Sequence, residues 1–169
     1  EKSTFNRTAF KILSKKGAKN ENEVDIYFDT SFQALAVHSI RVYRAGVWLD
    51  YTQNATLKMY ADDEDEIDRD DEILVEYDLK DLQVGDVVEY QYSKKGISSF
   101  LSKYFNKKIS VSNWNTPILF SYRLLASPEH ILSTRSYDTN ETVTIKDLSS
   151  SFREWSVQFT SLKPRTWKD

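Results

Sequence analysis

Cysteine is absent from this chain of 169 residues. That excludes a disulfide framework, a thiolate nucleophile and any cysteine-bearing zinc site, and it leaves the redox compartment open. Glycine and proline are scarce, at four and three residues, which excludes collagen-like and low-complexity organisation. No hydrophobic run approaches the length of a membrane-spanning helix. An initiating Met and a signal peptide are also missing, the chain opening on Glu1-Lys2. Such a start is expected of a processed or trimmed terminus from which an upstream targeting segment has been removed.

What the chain has in quantity is aromatic side chains: ten Tyr, nine Phe and four Trp. They favour strands and bury large areas, so a substantial core is expected. A chain of this length fits one domain, or one and a fraction; a single domain is expected over residues 1–169, burying roughly two-thirds of the surface its unfolded form exposes. The net charge of −3 is unevenly spread. Residues 62–72, DDEDEIDRDDE, hold nine of the 26 acidic side chains and one arginine, leaving 22 basic against 17 acidic residues elsewhere. A weakly basic body with one acidic loop, placed at 61–72, is not the basic stripe of a nucleic-acid binder.

Alternation of apolar and polar residues with a period of two runs through most of the chain. Thr8 to Ser14 alternates with Phe10 and Ile12 on one face; Lys15-Lys16-Gly17 then breaks the run, and Lys19 to Asn22 reads as a polar turn. Val24, Ile26 and Phe28 alternate against Asp25, Tyr27 and Asp29. Between Leu35 and Arg44 the phase changes, Leu35 and Val37 fitting one face and Ile40 and Val42 the other, which predicts a bulge near His38-Ser39. Ala45-Gly46 predicts a tight hairpin into VWLD. Further strands are predicted at Ile73 to Tyr77, at Val88 to Tyr92 after a Gly85-Asp86 turn, and at Ile118 to Leu124. Ile131 to Tyr137, Thr142 to Lys146 and Phe152 to Thr160 follow. About ten short strands predict an all-β fold, an antiparallel sandwich. No internal repeat is visible.

One segment departs from this rhythm. In GISSFLSKYFNKK the apolar residues Ile97, Phe100, Leu101, Tyr104 and Phe105 recur at helical spacing, predicting one short amphipathic helix over 97–106. Ser98 or Ser99 suits its start, and Lys103, Lys107 and Lys108 suit its end. At about three turns it is too short to persist alone, so its apolar face must dock.

Three stretches, KILSKKG (Lys11 to Gly17), FQALAVHSIRVYRAGVWLD (Phe32 to Asp50) and LQVGDVVEYQY (Leu82 to Tyr92), stand in the order and spacing of a known family. Over roughly residues 8 to 160 the chain resembles the DUF3857 domain, an N-terminal companion of transglutaminase-like domains in exported bacterial proteins. The resemblance implies an immunoglobulin-like β-sandwich, an extracytoplasmic and periplasmic location, and an adjacent transglutaminase-like domain as partner. It carries no catalytic residue over to this chain. Two departures stand out: Ala45-Gly46 replaces a longer turn that often contains Pro-Asp-Gly, and the cysteine of a transglutaminase-type site is nowhere in the sequence.

Candidate chemistry is weighed against plainer roles. Asp63, Asp65, Asp68 and Asp70 offer oxygen ligands for a hard cation, but Ile67 stands near the place where an EF-hand needs Gly. A solvated connection between strands is the expected role, with no metal and no cofactor. Carboxylate pairs for a glycosidase can be drawn anywhere among 26 acidic residues, so the pattern carries nothing. His38 and His130 lack any catalytic motif around them and are expected at a bulge and beside a turn. Trp155 alternates with Val157 and Phe159 and belongs in a core; Trp48 is expected to pack across the hairpin. Trp114, in SNWNTP, is the tryptophan most open to a sugar ring.

The resulting expectation is a non-catalytic accessory domain that positions a neighbour or binds a protein or glycan partner. The partner-binding candidates are Phe100, Leu101, Lys103, Tyr104 and Phe105 of the amphipathic segment, together with Trp114. The lysine-ringed segment also admits a membrane contact, ranked below simple docking onto the sandwich. A carbohydrate-binding module and a standalone hydrolase with an unrecognised carboxylate pair are the alternatives.

Overall fold

A computed structural model describes residues 2–53, 57–61, 72–97, 107–109, 119–137 and 141–160. The predicted helix at 97–106 and the acidic loop at 61–72 lie almost wholly outside the described residues, as do Phe100, Leu101, Lys103, Tyr104, Phe105 and Trp114. What is described is mostly β-strand in antiparallel sheets, with very little helix. Among the described residues no helix is long and apolar enough to cross a membrane. The strands fall into two compact units, Glu1–Phe105 and Asn106–Asp169.

The first unit holds two sheets. Strands β1 (Ser3–Lys11), β3 (Ala34–Arg44), β4 (Val47–Asp50) and β7 (Val87–Lys95) form the larger, in the order β1-β7-β3-β4. Strands β2 (Glu23–Asp29), β5 (Leu57–Ala61) and β6 (Glu72–Asp78) form the smaller, in the order β2-β6-β5. The alternation read from the sequence sets which side chains meet. Val24 and Ile26 of β2 join Ile40 and Val42 of β3, Leu79 and Val88 in one buried cluster drawn from both sheets. Each such fully buried aliphatic side chain contributes about 1.5–3 kcal/mol.

Two local predictions in this unit hold. The β3–β7 register shifts between Val37 and Ser39, so the bulge lies where the two hydrophobic phases collide. It lets Val37 and Ile40 both face the core. Arg44 pairs with Val47 across a two-residue turn, with φ of 49° at Ala45 and 87° at Gly46. Positive φ at both positions matches the twist of the flanking strands.

The polar stretch after β1 is different from expectation. Instead of a break and a turn, Lys15–Asn20 forms a short helix, α1, with Ser14 as its N-cap accepting from the Gly17 amide at 3.0 Å. None of its residues is buried, so no hydrophobic period announced it; the cap and helix-tolerant lysines suffice for a single turn and a half. At the end of β7, Gly96 has φ of 128°, and a Cβ there would come within 1.8 Å of the Phe32 carbonyl oxygen. Only glycine allows the two backbones to approach so closely.

The second unit is a three-stranded sheet of β8 (Leu119–Ala126), β9 (Thr144–Asp147) and β10 (Arg153–Thr160), ordered β8-β10-β9. Phe120, Tyr122 and Leu124 stand opposite Phe159, Val157 and Trp155 on one face. Trp155 and Phe159 are buried, as their alternation implies. Ile131 to Tyr137 is not a strand: it joins no sheet among the described residues, and Ile131 is 96% exposed. Alternation alone makes no strand when no neighbour completes the ladder of hydrogen bonds.

Candidate functional site

The most organised polar arrangement lies on the face of the larger sheet that points away from the core. Because Val88 and Tyr90 of β7 face inward, Glu89 between them faces outward. Ala9 of β1 and Arg41 of β3 are its direct neighbours across the sheet. Ala9 offers only a methyl group, so cover on that side comes from the diagonal neighbour Arg7.

Glu89 is only 3% exposed. Its Oε2 accepts from Arg7 Nε at 2.9 Å and from the Arg7 terminal nitrogen. Its Oε1 accepts from Arg41 Nε at 2.7 Å and from Gln91 Nε2 at 3.1 Å, with the Arg41 terminal nitrogen also in contact. Burial pushes the carboxyl pKa up, but hydrogen bonds from Arg7, Arg41 and Gln91 outweigh it and leave the pKa below its ordinary value. The carboxylate stays ionised at neutral pH and has no lone pair left for proton transfer.

Aromatic rings flank this clamp. The Arg41 guanidinium lies 4.2 Å from the centre of the Trp48 ring, and Tyr43 tilts against Trp48 with centroids 5.1 Å apart. Trp48 therefore does pack across the hairpin, while staying 45% exposed. On the other side, Phe5 meets His38 with ring centroids 5.9 Å apart. His38 sits at the bulge as expected, its Nε2 2.8 Å from Ser93 Oγ. That is the spacing of a base and a hydroxyl nucleophile. Ser93 is the one hydrogen-bond partner of His38 among the described residues, so nothing orients the imidazole from behind. His130 stands on an exposed turn, its amide donating to the Ser127 carbonyl.

A second buried carboxylate serves the scaffold. Asp86, 2% exposed, accepts from Arg44 Nε at 2.9 Å and Nη2 at 2.7 Å, and from the Gln83 amide at 2.8 Å. The Arg44 hydrogen bonds, against the opposing effect of burial, lower its pKa. The pair fixes the Gly85-Asp86 turn against the root of the β3–β4 hairpin.

Glu23, Asp25 and Glu76 bring their carboxylates within 4.8 Å of one another on the outward face of the smaller sheet. Burial, and then the Glu76 charge, raise the pKa of Asp25. Three oxygens fall short of the six to eight that calcium takes from its surroundings. No spacing in the sequence singles out these three, and the aspartates of the acidic loop lie outside the described residues. An open depression of about 430 Å³ lies beside α1, where Lys15, Lys19 and Lys80 are interspersed with Asp78 and Asp81. Its mixed charge gathers no reactive group.

None of the residues expected to bind a partner falls in the described part, and the clamp of Arg7, Glu89 and Arg41 was not anticipated. A signal existed: a carboxylate at the centre of an aromatic-rich strand needs a cation beside it. Sequence spacing could not name that cation, because Arg7 lies 82 residues away from Glu89.

Comparison with known proteins adds three findings. The sequence model of a family described as a domain of unknown function with solved structure, DUF3857, matches residues 1–166. Comparison with curated proteins finds no match. A crystal structure from Parabacteroides distasonis, described as that of a "putative protease", is similar with a TM-score of 0.84 at 12% identity. The similarity covers 98% of this chain and 34% of that one, so this chain spans about a third of that protein's length. At such low identity the likeness shows the fold alone.

Proposed function

This chain belongs to the DUF3857 family, and from that premise we propose that it is a non-catalytic accessory module of a larger exported, transglutaminase-like protein. In this reading residues 1–169 act as one module with an immunoglobulin-like sandwich, working outside the cytoplasm in the periplasm. Its task is to position a neighbouring domain or hold a protein or glycan partner. The observation that carries the reading is the fate of the two most deeply buried carboxylates. Glu89 and Asp86 are both saturated by arginine and held ionised, so neither serves as a general acid or base. The recurrence of the fold as one part of a longer protein supports it further.

The test is the coding sequence beyond Asp169. A following domain bearing Cys, His and Asp supports the accessory reading; an immediate stop codon sinks it. A hydrolase is the second reading, favoured by the 2.8 Å contact between His38 and Ser93 and by the description of the P. distasonis protein. Labelling with a fluorophosphonate decides this one. The accessory reading expects no label at Ser93, whereas labelling abolished by Ser93→Ala and by His38→Gln would establish a serine nucleophile.

A further inference from the structure

We propose that the outward face of the β1-β7-β3-β4 sheet docks an acidic protein segment, whose carboxylates meet Arg7 and Arg41 while its apolar side chains pack on Phe5, Tyr43 and Trp48. The inference deepens the accessory reading and rests on it, since it names the chemistry of the partner.

Three observations converge on this face. The first is residue type. Protein interfaces are enriched in Trp, Tyr, Phe and Arg, which combine large contact area with directional hydrogen bonding. Here Phe5 is 59% exposed, Trp48 45% and Tyr43 40%, arranged around the two arginines on a single sheet face.

The second is preorganisation. Glu89 is fully spent on the two guanidinium groups and Gln91, yet the Arg7 and Arg41 side chains remain 59% and 35% exposed. Arg41 is held a second time by the Trp48 ring. Each guanidinium has five N–H donors and commits only some of them to Glu89. The remaining donors are fixed in direction before any partner arrives, which lowers the entropy lost on binding. Asp50 stands across from Arg41 on the same face and feels its charge, while Arg7 presents the more open of the two guanidiniums to solvent.

The third is sign. The outward positions of these strands carry Arg7, Lys11, Arg41 and Lys95 against Glu89 and Asp50, four basic side chains to two acidic. Outside residues 62–72 the chain carries 22 basic against 17 acidic residues, and this face shares that basic excess. Charge complementarity selects an acidic partner. A glycan fits less well. Arg41 lies over the Trp48 ring and Tyr43 tilts against it, so the indole is not the open platform on which a sugar ring stacks.

The experiment titrates the intact chain with a short synthetic peptide alternating Glu and Tyr, and with its counterpart bearing Lys for every Glu. Binding is measured by calorimetry and mapped by NMR amide and side-chain shifts. The expected result is saturable binding of the acidic peptide, shifts confined to Phe5, Arg7, Arg41, Tyr43 and Trp48 and their neighbours, and affinity that falls as salt rises. The lysine peptide should bind at least about tenfold more weakly, and Arg7→Gln with Arg41→Gln should weaken the acidic peptide by about tenfold. Because loss of both arginines also strains Glu89, Phe5→Ala and Trp48→Ala serve as variants that leave the clamp charges in place and should weaken binding to a similar degree. The proposal is overturned by no binding, by equal affinity for the two peptides, or by binding indifferent to these substitutions. Polygalacturonate or phosphatidylglycerol vesicles occupying the same residues in preference to the peptide would overturn the protein partner. Any of these failures leaves the accessory reading standing, because that reading falls only to the coding sequence or to Ser93 labelling.

Discussion

On one face of β7, Val88 is fully buried among Ile40, Val42 and the side chains of β2. One residue later and on the opposite face, Glu89 is nearly as dry, at 3% exposure. The two reach that state by different physics. Apolar burial has no direction, so each methyl group contributes whatever its neighbours are. A buried carboxylate is favourable only while its cations and hydrogen bonds are in place, and it is strongly unfavourable once they are removed. The core face is thus stable by accumulation, and the outward face by a small set of contacts that all depend on one another.

Substitutions on each face break this comparison in different ways. The largest effect is expected from Ile40→Ala. It opens a cavity at a position with no exposure, for a loss of about 2–5 kcal/mol. Urea denaturation should show a lowered midpoint and an unchanged slope. Next comes removal of both cations, Arg7→Ala with Arg41→Ala, which strands Glu89. Breaking a buried pair costs about 3–5 kcal/mol, but both arginines are partly in water, so about 2–3 kcal/mol is expected here. The double loss should exceed the sum of the single ones, because either arginine alone still neutralises the carboxylate. Additive single losses would show that the two cations act independently.

Acid separates the faces further. The pKa of Glu89 in the fold lies below its ordinary value of 4.5. A depressed carboxylate stabilises the fold above its unfolded pKa, and that contribution disappears as pH falls through the folded value. Wild type should therefore lose stability progressively below about pH 4.5. Glu89→Gln should be less stable by about 1–2 kcal/mol at neutral pH and converge on wild type in acid. Asp86, depressed by Arg44, adds an acid loss that both proteins share. Thermal melts between pH 7 and pH 3 read the difference, and a constant gap across that range would dissociate Glu89 from the acid sensitivity.

The core face was legible in the sequence and the outward face was not. Period-two alternation located Val24, Ile26, Ile40, Val42 and Val88, and the clash of two phases located the bulge between Val37 and Ser39, because both signals are local. Trp155 and Phe159 were legible for the same reason. Helix α1 was missed because it buries nothing, and Ile131 to Tyr137 was overread because its alternation finds no adjacent strand. The clamp was illegible for a topological reason. Glu89 meets Arg7 only because β1 pairs with β7, and Arg41 only because β3 flanks β7 on the other side. Sequence shows the charges, but pairing across 82 and 48 residues decides which of them meet.

The smallest stability change is expected from replacing the clamp whole, and it is the most informative. In Arg7→Thr with Glu89→Val and Arg41→Thr, no charge is left buried, and β-branched residues suit a sheet face. Apolar replacement of a complete buried ionic group is often neutral or stabilising, so stability should stay within about 1 kcal/mol of wild type. The acid loss attributed to Glu89 should vanish, and affinity for the acidic peptide should fall by about tenfold, as expected for Arg7→Gln with Arg41→Gln. Retained stability with weakened binding would mean that the outward face keeps its charges for recognition, a role the core face cannot fill. A loss as large as that of the double alanine variant would reverse this conclusion, making the clamp a structural pin that holds β1 and β3 on β7.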